Sequence, residues 1–413
     1  MPFFYLLSWY YLIGLTLIIA IDYSALFSKV SIKANRNLAD KFSNSDANEI
    51  TIQLFNSSNF DLKLKVIDEI PFQFQKRDFE KKLNLEANSN KSFTYQLIPK
   101  KRGIYHFGSL HCFASTKLGL IERRISFENA KEVLVYPSFV QMKEMDFYAS
   151  HKMKSLFGFK KVRKIGHTLE FEQIKEYVVG DDIRTINWKA TAKQRRLMIN
   201  QFQDEKSQDV YCLLDAGKNM KMPFDGLSLL DYSINSCLAL TNVALKRKDK
   251  VGMLQFSGKV SKFTKASAQK SQLRKVMENL YQITPDYAMT DFAQLYAYIS
   301  RKITKRSLLI LYTNFEHKIS LERQLLYLKA INKKHELILV IFQNTEVNEL
   351  SKSTPQNTNE IYDVSIAEDL LLQKQEMIDL LKKNGIQAIL TPPKELQINV
   401  INKYLMNKAS VKA

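Results

Sequence analysis

The chain has 413 residues, 45% hydrophobic and 25% charged, a balance that excludes a disordered or fibrous polymer and leaves room for two or three domains with sizeable cores. Lys and Arg number 61 against 42 Asp and Glu; the net charge of +19 suits nucleic acid, anionic lipid or an acidic protein face, and equally a well-solvated basic surface. The three cysteines, Cys112, Cys212 and Cys237, are odd in number and lack any CxxC spacing, which excludes a disulfide framework and fits a reducing compartment.

The first element is the run Phe3 to Ile21, FFYLLSWYYLIGLTLIIAI, which contains no charge. As a helix it would span roughly 28 Å, about one bilayer core. It lacks the basic n-region and small-residue cleavage site of a secretory signal, so residues 1–24 are read as a transmembrane anchor. Lys29, Lys33 and Arg36 follow the span and no side-chain charge precedes it, which places the soluble part in the cytoplasm at the inner membrane.

From 30 to 140 the pattern alternates with period two in ITIQLF, DLKLKVI, SFTYQLI, GIYHFGSLHCFA and EVLVYP, separated by turn residues such as Asn56-Ser57-Ser58-Asn59 and Arg102-Gly103. Short strands at this spacing predict a small β-sandwich. Residues 141–206 read as a basic linker. Its stretch 151–164, HKMKSLFGFKKVRK, carries six Lys/Arg and no acid, and reads either as a solvated linker or as a loop touching an anionic lipid surface.

From 207 to 413 apolar strands (VYCLLD, VGMLQF, SLLILYTNF, ELILVIFQ, QAILTP) alternate with helices. In one helix Leu230, Ile234, Cys237, Leu238, Thr241 and Leu245 recur at three and four residues, marking a single apolar face. The alternation predicts an α/β, doubly wound parallel sheet. Ligands of such sheets sit at the carboxyl ends of the strands, where Asp215, Thr290-Asp291 and Thr313-Asn314 are expected.

Upstream of that domain lies Glu170-Phe171, Glu176-Tyr177, then Gly180-Asp181-Asp182-x-Arg184-x-Ile186-Asn187-Trp188, then Thr191-Ala192-Lys193. This pattern, with KKRGIYHFGSL before it and VINKYLMNK near the end, resembles the bacterial domain of unknown function 58 over nearly the whole chain. The resemblance implies a membrane-anchored protein with a β-sandwich and a von Willebrand factor A-like domain, associated with MoxR-type AAA+ ATPases. Members carry a pair of membrane helices; one is visible here.

In A-type domains that bind Mg²⁺, the resemblance implies ligands from Asp-x-Ser-x-Ser, a Thr on a second loop and an Asp on a third, suited to a hard octahedral cation. This chain has Asp215, Gly217 and Asn219 at the first loop, Thr290 and Asp291 as further oxygens, and Asn314 where a carboxylate is expected. The site is read as degenerate: no cofactor is expected, at most weak Mg²⁺ binding, with Asp215 capping the next helix or holding its loop.

The chain contains no GxxxxGK[ST], GxGxxG or GxSxG motif. His167 and Glu170 read as a local hydrogen bond rather than a zinc site. The carboxylates Glu170, Glu172, Glu176, Asp181 and Asp182 would either hold a metal or pair with Arg184, Lys189 and Arg195; the pairing is preferred, with Trp188 packed as its anchor and Gly180 permitting a turn. The sequence therefore predicts a non-enzymatic, membrane-tethered adaptor for a MoxR-type ATPase or its client, with no nucleic-acid partner. The alternatives are a carboxylate-dependent metal hydrolase and a basic nucleic-acid-binding protein.

Overall fold

The computed structural model describes residues 2–156, 165–179, 181, 183–203, 207–355 and 357–412. The chain divides into two compact units, residues 1–140 and 141–413.

The first unit opens with α1 (Pro2–Ser28), about 40 Å of uninterrupted helix. Its Ser8–Ser28 stretch is long and apolar enough to cross a membrane, and Trp9, Tyr10 and Tyr11 are exposed. The end of α1 is docked on the following strands. Asp22 is buried, accepts from the Thr116 hydroxyl, and takes the Ile121 amide at 3.2 Å. Leu26 joins the strand core, and Arg123 donates to the Leu26 carbonyl at 2.9 Å, satisfying an end-of-helix acceptor.

Ten strands follow: β1 (Ile32–Leu38), β2 (Lys41–Ser43), β3 (Asn48–Asn56), β4 (Leu62–Asp68), β5 (Glu80–Leu85), β6 (Asn90–Leu97), β7 (Gly103–Phe107), β8 (Leu110–Ser115), β9 (Arg123–Phe127) and β10 (Lys131–Tyr136). They form sheets ordered β1-β3-β6, β5-β4-β8-β9 and β2-β10-β7. Alternation sends Ile52 and Leu54 of β3 and Leu62, Leu64 and Val66 of β4 into one shared core between the first two sheets. Arg36, expected as a membrane-flanking charge, is instead buried: it pairs with Asp68 and donates to the Gly108 carbonyl at 2.9 Å. Its place on β1 points it inward, so only Lys29 and Lys33 remain as exposed flanking charges.

Residues 141–206, read from the sequence as a basic linker, fall within the second unit, and their described residues include helix and strand. Within 141–206 lie most of α2 (Phe139–Leu156), then β11 (Ile165–Glu176), the short α3 (Trp188–Gln194) and β12 (Met198–Gln203); β11 and β12 pair as an antiparallel ribbon. The sheet strands are β13 (Asp209–Asp215), β16 (Lys250–Phe256), β17 (Val260–Ser267), β18 (Leu308–Tyr312), β19 (Glu336–Phe342) and β20 (Gln387–Thr391), with the two-residue strands β14 (Pro223–Phe224) and β15 (Leu227–Ser228) as a small hairpin. The helices are α4 (Leu229–Lys246), α5 (Gln272–Tyr281), α6 (Phe292–Lys302), α7 (Lys318–Lys334), α8 (Thr345–Leu350), α9 (Thr358–Lys383) and α10 (Leu396–Lys412).

The sheet order is β17-β16-β13-β18-β19-β20. All neighbours are parallel except β16 and β17, so the sheet is mixed rather than wholly parallel. The exception follows from a short turn after Phe256, which can only return the chain as an antiparallel neighbour. Strand β13 shows why helices cover both faces. Val210, Cys212 and Leu214 pack with α4, α5 and α10, whereas Tyr211 and Leu213 pack with α6, α7 and α9. Helix α4 is started by a capping box of Ser228 and Asp231. At the opposite end of β13, buried Asp249 accepts from the Tyr404 hydroxyl and from Lys408 Nζ at 2.6 Å, pinning α10 to the sheet.

Candidate functional site

The strand order reverses between β13 and β18, and the crevice at their carboxyl ends is where an open α/β sheet binds ligands. Asp215 closes β13 there and is buried. Its Oδ1 accepts the Gly217 amide at 2.8 Å and the Thr290 hydroxyl at 2.8 Å; its Oδ2 accepts the Thr313 hydroxyl at 2.7 Å. Three loops are thus tied to one carboxylate. Burial still raises the Asp215 carboxyl pKa, outweighing the pull of Thr313, Gly217 and Thr290 in the other direction.

The other expected site residues are engaged elsewhere. Asn219 is exposed and donates to the Asn314 carbonyl at 3.2 Å. Asp291 caps α6, accepting the amides of Ala293 and Gln294 at 2.9 and 3.0 Å, so it faces its own helix rather than Asp215. Asn314 is buried, and its Oδ1 accepts Lys374 Nζ at 3.1 Å; the same ammonium donates to the Phe315 carbonyl. Lys374 was missed from the sequence. The available signal was its place on the inward stripe of α9, between Ala367 and the buried Met377, Ile378 and Leu381.

These residues do not fit a divalent cation. The Asp215 oxygens hold three internal donors, Asp286 accepts from the Ser257 hydroxyl, Asp291 caps its own helix, and an ammonium stands at the residue that would supply a further carboxylate. Gly217 also has no room to become a ligand. A Cβ there would lie 2.4 Å from Thr290 Oγ1 and 3.1 Å from the Ala288 carbonyl. Replacing Gly217, Asn219 and Asn314 with Ser, Ser and Asp would therefore not restore a site, because the Thr290 side chain occupies the space of the added Ser. Millimolar Mg²⁺ is expected to leave the melting temperature unchanged; saturable stabilisation, about 2.7 kcal/mol at 100 times Kd, would contradict this.

Burial pushes the Lys374 ammonium down to about 8, with Glu316 opposing. Its folded pKa lies below the ordinary value of 10.5, so the folded state releases this proton first. Stability should then rise with pH between about 8 and 10.5, relative to Lys374→Met, which lacks the titration. Urea midpoints of the two proteins across that window measure the difference; parallel curves would show that Lys374 titrates normally.

The motif residues frame the end of the β11–β12 ribbon. Asp181 pairs with Lys175 at 3.0 Å and accepts the Val178 amide at 3.0 Å, and Lys175 holds its carboxyl below the usual range. Asn187 caps α3 through the Ala190 amide at 3.0 Å and donates to Asn200 at 2.8 Å, while Thr191 Oγ1 accepts the Met198 amide at 3.0 Å. Glu176 sits 3.5 Å from Arg196, and Tyr177 donates its amide to the Leu197 carbonyl at 2.8 Å. Arg184 is exposed. Trp188, expected as a packing anchor, is 70% exposed, because Asn187 starts α3 with that side chain on its outer side. Trp188→Ala should accordingly change stability by less than about 0.5 kcal/mol in a thermal melt. Gly180, Asp182 and residues 157–164 lie outside the described residues, as do the side chains of His167, Glu170, Phe171 and Glu172. Among the described residues no group of three His, Cys, Asp or Glu side chains is placed to hold a metal ion.

Residues 173–373 match the family described as "Protein of unknown function DUF58". The chain carries a DUF58 domain. The match begins inside β11 and ends in α9, so it takes in both the ribbon motif and the Asp215 crevice. An uncharacterised protein of Bacillus subtilis (strain 168), YeaD, is 27% identical over 124 residues, which are 30% of this chain and 31% of that protein. The chain thus matches about a third of that relative's length. Among solved structures, the conserved hypothetical protein BatB from Bacteroides thetaiotaomicron is 14% identical, covering 48% of this chain and 99% of that one, with a TM-score of 0.30. The CARDB domain of a Pyrococcus furiosus protein is 16% identical over 26% of this chain and 90% of its own, with a TM-score of 0.20.

Proposed function

We propose that this DUF58 protein is a non-enzymatic adaptor, anchored in the inner membrane by α1 with its soluble units in the cytoplasm. It presents a von Willebrand factor A-like domain to a AAA+ ATPase of the MoxR type or to that ATPase's client. The observation that carries the reading is the internally satisfied Asp215. A crevice whose carboxylate holds three loops together is built to keep a surface in shape rather than to activate water or a substrate. The loop so held, 284–290, exposes Tyr287 and Met289 at the carboxyl edge of the sheet, residue types that suit protein contact. The uncharged, exposed length of α1 supports the anchor.

Full-length protein isolated from native membranes should bring down a AAA+ ATPase in stoichiometric amount. The Tyr287→Ala/Met289→Ala variant should lose it while keeping its melting temperature. Recovery of the wild type in the soluble fraction, or divalent-dependent hydrolysis of phosphodiesters by the purified chain, would replace this reading.

A further inference from the structure

The end of the β11–β12 ribbon presents an apolar surface to solvent. The Tyr177–Leu197 hydrogen bond closes the ladder, and beyond it Val178, Val179, Ile183 and Trp188 are all exposed, Val179 to 94%. Hydrogen bonds hold the backbone beneath two of them: Asp181 accepts the Val178 amide, and Asn187 and Thr191 fix α3, which begins at Trp188, to β12. The polar residues of the motif therefore serve as a frame that holds apolar residues outward. Such exposure is unfavourable in water, by the transfer free energy of each side chain, unless something covers it.

The surrounding charge indicates what covers it. Lys189, Lys193, Arg195 and Arg196 are exposed on the same segment. The nearby carboxylates Asp181 and Glu176 already face Lys175 and Arg196. A tryptophan and aliphatic side chains exposed on a turn and a short helix, on a segment that also exposes Lys and Arg, match the interface of an anionic bilayer, where Trp prefers the headgroup level and basic residues meet phosphates. A near-complete exposure at Val179 is the convex form that a bilayer accepts, whereas a protein partner would need a matching acidic-rimmed pocket.

We propose that Val178, Val179, Ile183 and Trp188 insert into the interface of an anionic bilayer, with Lys189, Lys193 and Arg195 on the lipid phosphates. The inference rests on the anchored reading of α1, which would keep the ribbon at high local concentration near such a surface. Each basic contact contributes about a five-fold gain in membrane association.

The chain has two tryptophans, so Trp9→Phe leaves Trp188 as the sole reporter. The full-length Trp9→Phe protein is reconstituted into phosphatidylcholine vesicles with and without phosphatidylglycerol, each also prepared with brominated acyl chains. In phosphatidylglycerol vesicles Trp188 emission should shift to the blue and lose intensity with brominated lipid. Phosphatidylcholine alone should give neither effect, and Lys189→Gln/Lys193→Gln/Arg195→Gln should abolish both with an unchanged melting temperature. Protein that floats with the vesicles while Trp188 stays solvent-like in both compositions overturns the insertion and leaves the anchor standing. A solvent-like Trp188 that shifts only when a purified AAA+ ATPase is added also overturns it, and assigns the surface to a protein. Protein that fails to float overturns the anchor; with it, a Trp188 indifferent to added phosphatidylglycerol vesicles overturns the insertion as well.

Discussion

Asp215→Ala is expected to lower stability by about 3 kcal/mol, and by the same amount with and without Mg²⁺. The substitution orphans the Gly217 amide and the hydroxyls of Thr290 and Thr313, each at about 1–3 kcal/mol when left unsatisfied. Part of that loss is offset, because a buried carboxylate held above its usual pKa is itself costly. Asp215→Asn keeps one acceptor oxygen and should fall between. Thermal and urea unfolding of the detergent-solubilised chain, with chelator or with Mg²⁺, reads both expectations. A loss that appears only with Mg²⁺ present would mean that the carboxylate is a metal ligand after all. A loss below about 1 kcal/mol would mean that the three loops hold without it, and would remove the observation on which the adaptor reading rests.

The second large effect belongs to Gly252, in β16. A Cβ there would lie 2.4 Å from Tyr211 Cε1 and 2.6 Å from the Thr264 carbonyl. Tyr211 crosses this position from the neighbouring strand β13, and its hydroxyl accepts the Ala266 amide of β17 at 3.2 Å. Gly252 is thus the gap through which one strand's side chain reaches two strands away. The ladder between β16 and β17 is irregular at the same place, between Val251 and Met253. Gly252→Ala should cost about 3 kcal/mol, the upper part of the overpacking range, because the obstacle includes backbone as well as a buried ring. Tyr211→Leu loses its own packing and hydrogen bond. In the double variant the two losses should fall short of additive by more than about 0.5 kcal/mol, since the smaller side chain vacates the space that the new methyl needs. Additive losses would place the strain elsewhere in the strand.

Much of this architecture was legible without coordinates, for reasons visible in single segments. An uncharged run of nineteen residues reads as one long apolar helix because backbone hydrogen bonds within a helix need no outside partner, and α1 is that helix. Period-two alternation from 30 to 140 and apolar strands alternating with periodic helices from 207 onward gave strands and helices, since each pattern reports which face of an element turns away from water. The family likeness was legible in the Gly180–Trp188 motif, and so was an ion pair for one of its aspartates, but Asp181 takes Lys175 on the neighbouring strand rather than the Arg184, Lys189 or Arg195 expected.

What tertiary structure decided were the encounters between residues far apart in sequence. That Arg36 meets Asp68 inside the strand core depends on two strands separated by 32 positions, so its charge read as a membrane flank. That Thr290 fills the space beside Gly217 depends on a loop contributed after α5. That Lys374 stands at Asn314 depends on a helix 60 residues downstream. Trp188 is the reverse case: its size marked it for a core, yet among the described residues no element covers it, because Asn187 and Thr191 hold its helix with that side outward. Periodicity along a chain reports the face that is buried, but not which distant group arrives to bury it. The chemistry of the Asp215 crevice was set by those arrivals, and so it became readable only once the chain was folded.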